Sequence, residues 1–463
     1  MAIARLLKTV NVLVPVGALG TGVRAKDLAA GIALGAHAIA CDAGSTDSGP
    51  AYLATGKSKY ARDAIKTDLA LLMQAQADSG LPLLIGSCGT SGCDAALDWT
   101  RDIALEIARE HGLTPRIALL YSEQSPVLME QKARQGRITP LAPVTSIDPD
   151  ILRSCDRIVA LMGPEPYIAA LKAGADIVLG GRTTDTAVIA AVPIMRGAGL
   201  GPAWHSGKIA ECGGQATVNP RDGGVLIRVG LDAFEIEPLS AANACSTGTV
   251  AAHMLYENSD PFRLIEPGGV LNVSGSRYAD VDGRVVAVSG AEFEPRPYTM
   301  KLEGAAGNGF QTIMLVGIKD PGVLAQIDRF VAQMHKALVS RVAAAMGERA
   351  GQYDISLRAY GWNAVSGEAV ENAAPPREIG LLFVATAETQ EIATQIAKTC
   401  NPYFFHMPLE MNAELPSYAF PFSPSEIERG QVFEFRLNHV VAVDDPRELV
   451  RMEFVDLGEM AGA

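Results

Sequence analysis

The most constraining feature of the chain is a regular alternation of short apolar runs and helical-period segments between residue 11 and about residue 200. The predicted strands are residues 11–16, 36–41, 82–87, 116–121, 157–163 and 176–181. Helices are predicted over residues 59–78 and 94–110, and each ends before a glycine, Gly80 or Gly112. This alternation is typical of βα units. We therefore predict an α/β fold with an open, mainly parallel sheet.

The pattern changes after about residue 220. The segment RYADVDGRVVAV places Asp282 and Gly283 between two alternating runs, which predicts a tight antiparallel hairpin. Farther on, a strand, a helix near 323–346, two strands and a helix near 390–398 follow the order of a split βαβ, ferredoxin-like unit. We expect an α/β domain at residues 1–262, which carries the site, and an α+β domain at residues 263–463.

The net charge limits the classes of partner, and the cysteine content indicates the compartment. The chain has 39 basic and 52 acidic residues, a net charge of −13, which disfavours nucleic acid and anionic membranes as partners. Its seven cysteines show no CxxC pairing, as is typical of reduced thiols. No apolar run reaches the roughly 18 residues that span a bilayer. We expect a cytoplasmic protein.

The segment IACDAGSTDSGPAYLATG follows the second predicted strand, where its polar residues should face a ligand. Ligands bind at the carboxyl ends of parallel strands, so Asp42, Ser45 and Asp47 should meet the loops of residues 86–92 and 180–185 there. Asp42 leaves an apolar strand directly, which suits a general base or a metal ligand. Asp47 and Asp185 could ligate the same metal, although Asp47 could form a turn and Asp185 could cap a helix.

Two glycine-rich segments are predicted to bind the anionic end of a substrate. GSCGTSG can bring backbone N–H groups close to an anion, but it lacks a Walker lysine and could equally be a tight turn. GGRTTD supplies a guanidinium whose fork matches a carboxylate or phosphate. The predicted substrate-binding residues are Ser45, Gly86, Ser87, Gly89, Arg182 and Thr183.

Histidines supply a second group of candidates. In HMLYEN, His253 and Glu257 lie four residues apart, which would place them on one helical face as an acid–base pair or as metal ligands, or as a solvated contact only. WHSGKIAECG adds His205, Glu211 and Cys212, whose spacing matches no standard zinc pattern.

A nicotinamide site is an alternative. VGALGTG follows the first strand with Gly17, Gly20 and Gly22, and Asp42 ends the next strand at the position of a ribose-binding acid. The glycine spacing is GxxGxG, however, whereas the dinucleotide fingerprint is GxGxxG.

Several long motifs together resemble the acyclic terpene utilisation family. They are DAGSTDSGPAYLATGKS, GSCGTSGCD, ALLYSEQS, GGRTTDTAV, HMLYENSDPFRLIEPGG and RAYGWNAVSG, in this order between about residues 11 and 370. The resemblance implies an α/β N-terminal domain, a role in the catabolism of branched or carboxylated acyl compounds, and a hetero-oligomer with a small companion subunit. The positions carried over are Asp42, Ser45, Asp47, Arg182, Asp185, His253 and Glu257.

These features favour a lyase of the hydratase or dehydratase type that acts on a small anionic substrate, a hydroxy-carboxylic acid or its CoA ester. The expected catalytic residues are Asp42, His253 and Glu257, and Asp42, Asp47 and Asp185 would bind Mg²⁺ or Mn²⁺. Two alternatives stay open: a non-catalytic acid- or acyl-CoA-binding subunit of a companion enzyme, and an NAD-dependent oxidoreductase. An oligomer is expected in each case.

Overall fold

The computed structural model describes residues 6, 8–368, 374–410 and 415–460. Its strands, in chain order, are β1 (Val10–Val14), β2 (Ala38–Asp42), β3 (Leu83–Gly86), β4 (Arg116–Tyr121), β5 (Ile138–Pro140), β6 (Arg157–Ala160), β7 (Ile177–Gly180), β8 (Val225–Val229), β9 (Ala233–Pro238), β10 (Arg263–Glu266), β11 (Gly269–Asn272), β12 (Arg277–Asp280), β13 (Val286–Ser289), β14 (Glu292–Pro295), β15 (Thr299–Ile318), β16 (Tyr353–Tyr360), β17 (Ile379–Ala387), β18 (Tyr418–Ala419), β19 (Ile427–Ala442) and β20 (Arg451–Asp456).

The α-helices are α1 (Ala25–Ala33), α2 (Pro50–Thr55), α3 (Arg62–Ser79), α4 (Asp94–His111), α5 (Pro126–Arg134), α6 (Pro149–Ser154), α7 (Glu165–Lys172), α8 (Asp185–Met195), α9 (Leu200–Ala210), α10 (Thr247–His253), α11 (Pro321–Leu324), α12 (Ile327–Met346), α13 (Gln390–Cys400), α14 (Tyr403–His406) and α15 (Leu457–Met460). α3 and α4 end at Gly80 and Gly112, both in the left-handed conformation, as the sequence predicts. Within the described part of the chain, no helix is long and apolar enough to cross a membrane.

The chain forms two compact units, Met1–Ala306 with Phe435–Ala463, and Gly307–Glu434. The long strands β15 and β19 each contribute residues to both units. This division differs from the predicted boundary after residue 262, because β12 and β13 belong to the main sheet of the first unit. All seven cysteines lie in the described chain, and none forms a disulfide.

The first unit contains a ten-stranded sheet in the order β12-β13-β9-β8-β1-β2-β3-β7-β4-β20. Its centre, β1-β2-β3-β7-β4, is parallel, as the sequence predicts. The flanking strands are antiparallel, so the fold is mixed α/β and not mainly parallel throughout. β6, predicted as a further βα strand, instead pairs antiparallel with β15. Apolar patterning identifies a strand but does not specify its partner.

Helices cover both faces of the parallel strands. α3 and α4 pack on one face and α8 on the other. Neighbouring residues such as Val12 and Leu13 enter two different cores, one on each face of the sheet. A parallel strand that is covered on both sides is apolar along its whole length, which explains the unbroken apolar runs in the sequence. The carboxyl ends of these strands are left free for the connecting loops.

The second unit is an antiparallel sheet in the order β16-β17-β15-β19, with β18 paired to β15. α12 packs against β16 and α13 against β17. The predicted strands and the two predicted helices of this region are all present. The hairpin around Gly283, which has φ +81°, is also present, but its strands β12 and β13 extend the sheet of the first unit.

Candidate active site

A cavity of about 280 Å³ lies at the carboxyl ends of the parallel strands in the first unit. Gly17 follows β1, Asp42 ends β2, Thr90 follows β3 and Asp185 follows β7, so the predicted edge of the sheet does carry a cavity. The wall carboxylates are Asp42, Asp47, Asp185, Glu211 and Glu257. Among the described wall residues, Lys59 is the single lysine or arginine. The cavity is therefore strongly acidic.

Asp42 is the most deeply placed of the predicted residues. Its side chain is buried, and Oδ2 accepts a hydrogen bond from the N–H of Gly44 at 2.9 Å. Oδ1 is buried without a hydrogen-bond partner among the described residues. Burial raises the pKa of this carboxyl well above its usual range and the charge of Asp185 adds to the effect, whereas Arg182 opposes it. An unpaired buried carboxylate oxygen costs free energy unless a proton or a cation occupies it.

Asp47 and Asp185 line the same cavity as Asp42, but among the described residues the carboxylate oxygens of these three predicted metal ligands do not all lie within 4.8 Å of one another. Asp185 begins α8, and burial raises its pKa to about 6, with Arg182 opposing and Asp47 reinforcing the shift. Asp47 lies nearer the solvent and accepts a hydrogen bond from the hydroxyl of Ser45 at 2.7 Å. Their role as metal ligands stays a prediction.

Arg182, predicted to anchor the substrate, forms internal contacts. It is 5% exposed and donates to Glu303 at 3.0 Å, to the hydroxyl of Ser87 at 3.1 Å and to Asp185 at 3.4 Å. Glu303 also accepts a hydrogen bond from Thr46. Although burial opposes it, the charge of Arg182 lowers the pKa of Glu303, so the pair is ionised. The sequence analysis did not identify Glu303, because it lies 121 residues away in β15 and no local motif marks it.

The loop of residues 86–92 packs tightly against Arg182. The N–H groups of Ser87, Cys88 and Gly92 donate to backbone carbonyls, so these three are not available to an anion. Gly92 has φ +63°, and a Cβ there would lie 2.3 Å from the backbone nitrogen of Arg182. Ser87 and Thr183 are fully buried, and neither they nor Gly86 and Gly89 line the cavity. The alternative interpretation of this segment, a tight turn, fits these contacts.

His253 and Glu257 do not share a helical face, so that prediction is wrong. α10 ends at His253, and Glu257 lies beyond it with φ +58°. A capping box of Ser246 and Thr249 begins this helix, but only seven residues follow before the chain turns. Glu257 lines the cavity, whereas His253 is buried beside Glu211 and Cys212.

Glu211 and Cys212 also line the cavity, although their spacing in the sequence matches no metal motif. Glu211 accepts hydrogen bonds from the ammonium of Lys208 and from Thr186. Burial raises the pKa of Glu211 to about 8 despite Lys208. His205 of the same segment is buried between Phe234 and Tyr278 and lies outside the cavity wall.

The VGALGTG loop, which resembles a dinucleotide-binding motif, binds the side chain of Asp68. The carboxylate of Asp68 accepts hydrogen bonds from the N–H groups of Gly20, Gly22 and Val23, at 2.7–3.0 Å. These are donors that a pyrophosphate would need. The contacts of this loop therefore do not favour the nicotinamide alternative.

The buried Glu266 allows the effect of burial on the pKa of a carboxyl group to be tested. Burial raises its pKa to about 7, Thr186 and Lys208 oppose the shift, and Asp185 adds to it. This pKa exceeds that of a glutamate in the unfolded chain. The contribution of Glu266 to the free energy of unfolding is therefore most favourable at low pH and is lost as pH rises through about 7. We expect Glu266→Gln to match the wild type at about pH 4 and to be more stable by up to about 3 kcal/mol at about pH 8.

Chemical denaturation across this pH range measures the effect. Glu294→Gln is the control with the opposite sign, because Arg263 and Asn272 lower the pKa of Glu294 to about 2. That variant should lose stability at neutral pH. Equal stability of Glu266→Gln and the wild type at every pH would contradict the assigned burial effect.

Comparison with known proteins agrees with the resemblance seen in the motifs. A family model described as Acyclic terpene utilisation family protein AtuA matches residues 45–419 of the 463-residue chain. The matched span contains the predicted site residues from Ser45 to Glu257, and Asp42 lies just before it. Searches of curated proteins and of solved structures gave no match.

Proposed function

The chain belongs to the acyclic terpene utilisation family, and from this premise we propose that its acidic cavity catalyses the hydration or dehydration of a small hydroxy-carboxylic acid or its CoA ester. The observation that carries the proposal is the Oδ1 of Asp42, which is buried without a hydrogen-bond partner in the described part of the chain, in a cavity with four further carboxylates. Such a group needs a cation or a proton. The cavity volume of about 280 Å³ suits the reacting end of a small acid.

Asp42, Asp47 and Asp185 would hold a divalent cation such as Mg²⁺ or Mn²⁺. All three offer carboxylate oxygens, the ligands that these hard cations prefer. Burial raises the pKa values of Asp42 and Asp185, and the neighbouring charges of Asp185 and Asp47, respectively, add to the shift. When bound, the cation would neutralise the substrate carboxylate and the enolate-like charge that follows proton loss.

Glu257 and Lys59 would carry the proton transfers. Glu257 would accept the proton from the carbon next to the carboxyl group, and that C–H pair of electrons would form the C=C bond. The hydroxyl of the neighbouring carbon would leave as water with a proton from Lys59, which donates to Ser48 at 3.1 Å in the same wall. Hydration is the reverse. His253 lies behind the wall and takes no part in this scheme, in contrast to the role that the sequence suggested.

A CoA ester would extend into an adjoining hollow of about 500 Å³. It shares Gly17, Ala18, Tyr60, Cys212 and Tyr256 with the acidic cavity. Arg221 lines this hollow and would provide positive charge for a phosphate-bearing tail, whereas Arg24, which also lines it, is paired with Asp27 and Asp222.

For the second unit we infer the ferredoxin-like topology that the sequence suggests. The chain order β15-α12-β16-β17-α13-β19 and the sheet order β16-β17-β15-β19 support this assignment. The antiparallel pairing of β17 with both β15 and β16 supports it as well.

The proposal is tested by assaying a panel of hydroxy acids, their CoA esters and the matching unsaturated acids with Mg²⁺ or Mn²⁺. The chain is assayed alone and with the expected companion subunit. We expect water loss or gain, reduced by about 10²-fold or more in Glu257→Gln. Binding without turnover in both preparations would favour the non-catalytic alternative. Turnover that requires NAD would contradict the proposal.

A further inference from the structure

Three side chains of different chemistry meet next to the acidic cavity. A carboxylate oxygen of Glu211, the sulfur of Cys212 and a ring nitrogen of His253 all lie within 4.8 Å of one another. Glu211 and Cys212 directly follow α9, and His253 is the last residue of α10. The packing of both helices against the turn Gly213–Ala216 brings these distant segments together.

The second feature of this cluster is the buried ring of His253. Its side chain is 6% exposed, and Nε2 is buried without a hydrogen bond among the described residues. A neutral imidazole nitrogen with a free lone pair is the form that binds a metal.

We propose that Glu211, Cys212 and His253 bind a transition metal of the Zn²⁺ or Fe²⁺ class, separate from the hard cation of the aspartates. A nitrogen, a sulfur and an oxygen donor form a set for borderline metals, whereas Mg²⁺ avoids thiolate. Glu211 and Cys212 line the cavity and His253 lies behind them, so a fourth position would open toward the cavity. Three protein ligands and an open position are typical of catalytic zinc.

The local contacts are compatible with this site. Ligands on a tetrahedral zinc lie about 3.3–3.8 Å apart, so closure needs side-chain shifts of about 1 Å. Lys208 and Thr186 contact the two oxygens of Glu211, but each carboxylate oxygen can accept a further interaction. Burial raises the pKa of Cys212, and a bound metal would release the thiol proton in exchange.

The test uses Co²⁺ as the probe and needs no substrate, so its result is independent of the proposed reaction. Chelator-treated full-length protein is titrated with Co²⁺ while near-ultraviolet absorption is recorded. We expect a sulfur-to-cobalt band that saturates at one equivalent and disappears when Zn²⁺ is added. Cys212→Ser should abolish this band, and His253→Gln should weaken Co²⁺ binding by about 100-fold or more.

Two controls keep the outcome clear. Cys245→Ser removes another buried thiol of the same unit and should leave the band unchanged. Asp47→Asn should also leave it unchanged, which separates this site from the aspartate site. Zn²⁺ should raise the melting temperature of the wild type and of Cys245→Ser. This measurement remains informative even if Cys212→Ser or His253→Gln fails to fold. Absence of a sulfur-to-cobalt band in the wild type, or an equal band in Cys212→Ser, would overturn the proposal.

Discussion

Asp42→Asn is expected to abolish Mn²⁺ binding in the cavity and to reduce turnover by about 10³-fold or more, while raising the melting temperature of the cation-free protein. The loss of function follows from removal of a carboxylate that the cation would need. The gain in stability follows from the burial of Asp42, whose Oδ1 has no hydrogen-bond partner among the residues that the structure describes, and from the adjacent charge of Asp185. A neutral amide of the same shape removes that repulsion. Functional sites commonly conflict with stability in this way.

Mn²⁺ binding is measured by electron paramagnetic resonance and stability by calorimetry after chelation. Asp68→Asn is the matched control, because Asp68 is equally buried but accepts three backbone hydrogen bonds. We expect that variant to be less stable than the wild type, since an amide cannot accept on both atoms. A lower melting temperature for Asp42→Asn, or unchanged Mn²⁺ binding, would contradict the role assigned to Asp42.

Arg182→Met is expected to lower the free energy of unfolding by about 3–5 kcal/mol, because it leaves Glu303 charged and buried without its main partner. The double variant Arg182→Met, Glu303→Gln should lose less than the sum of the single losses, since it removes both charges. Urea denaturation of the full chain measures both effects.

Arg153→Met is the surface control for this experiment. Arg153 also pairs with a glutamate, making two hydrogen bonds to Glu130, but its side chain is 56% exposed, so its loss should cost far less than the loss of Arg182. If Arg182→Met lowered the free energy of unfolding as little as Arg153→Met and raised KM steeply, the result would support the hypothesis that the Arg182 guanidinium anchors the substrate.

The location of the cavity could be predicted from the sequence, but the direction of several side chains could not. Asp42 ends a strand and Asp185 begins a helix, and both positions follow from local patterning. Arg182 lies between β7 and α8 in the same GGRTTD motif as Asp185, yet it contacts Glu303 of β15. An arginine after a strand is equally compatible with a ligand contact and with an internal ion pair, and only its partner decides between them.

By itself, the sequence determined the parallel centre of the sheet, the ends of α3 and α4 and the acidic character of the strand ends. These depend on local periodicity, on glycine at helix ends and on the shared direction of parallel strands. The tertiary structure alone decided that β8, β9, β12 and β13 extend the sheet, that Glu303 neutralises Arg182, and that Cys212 meets His253. Such pairings join segments far apart in the chain, and they depend on packing geometry that no local pattern encodes.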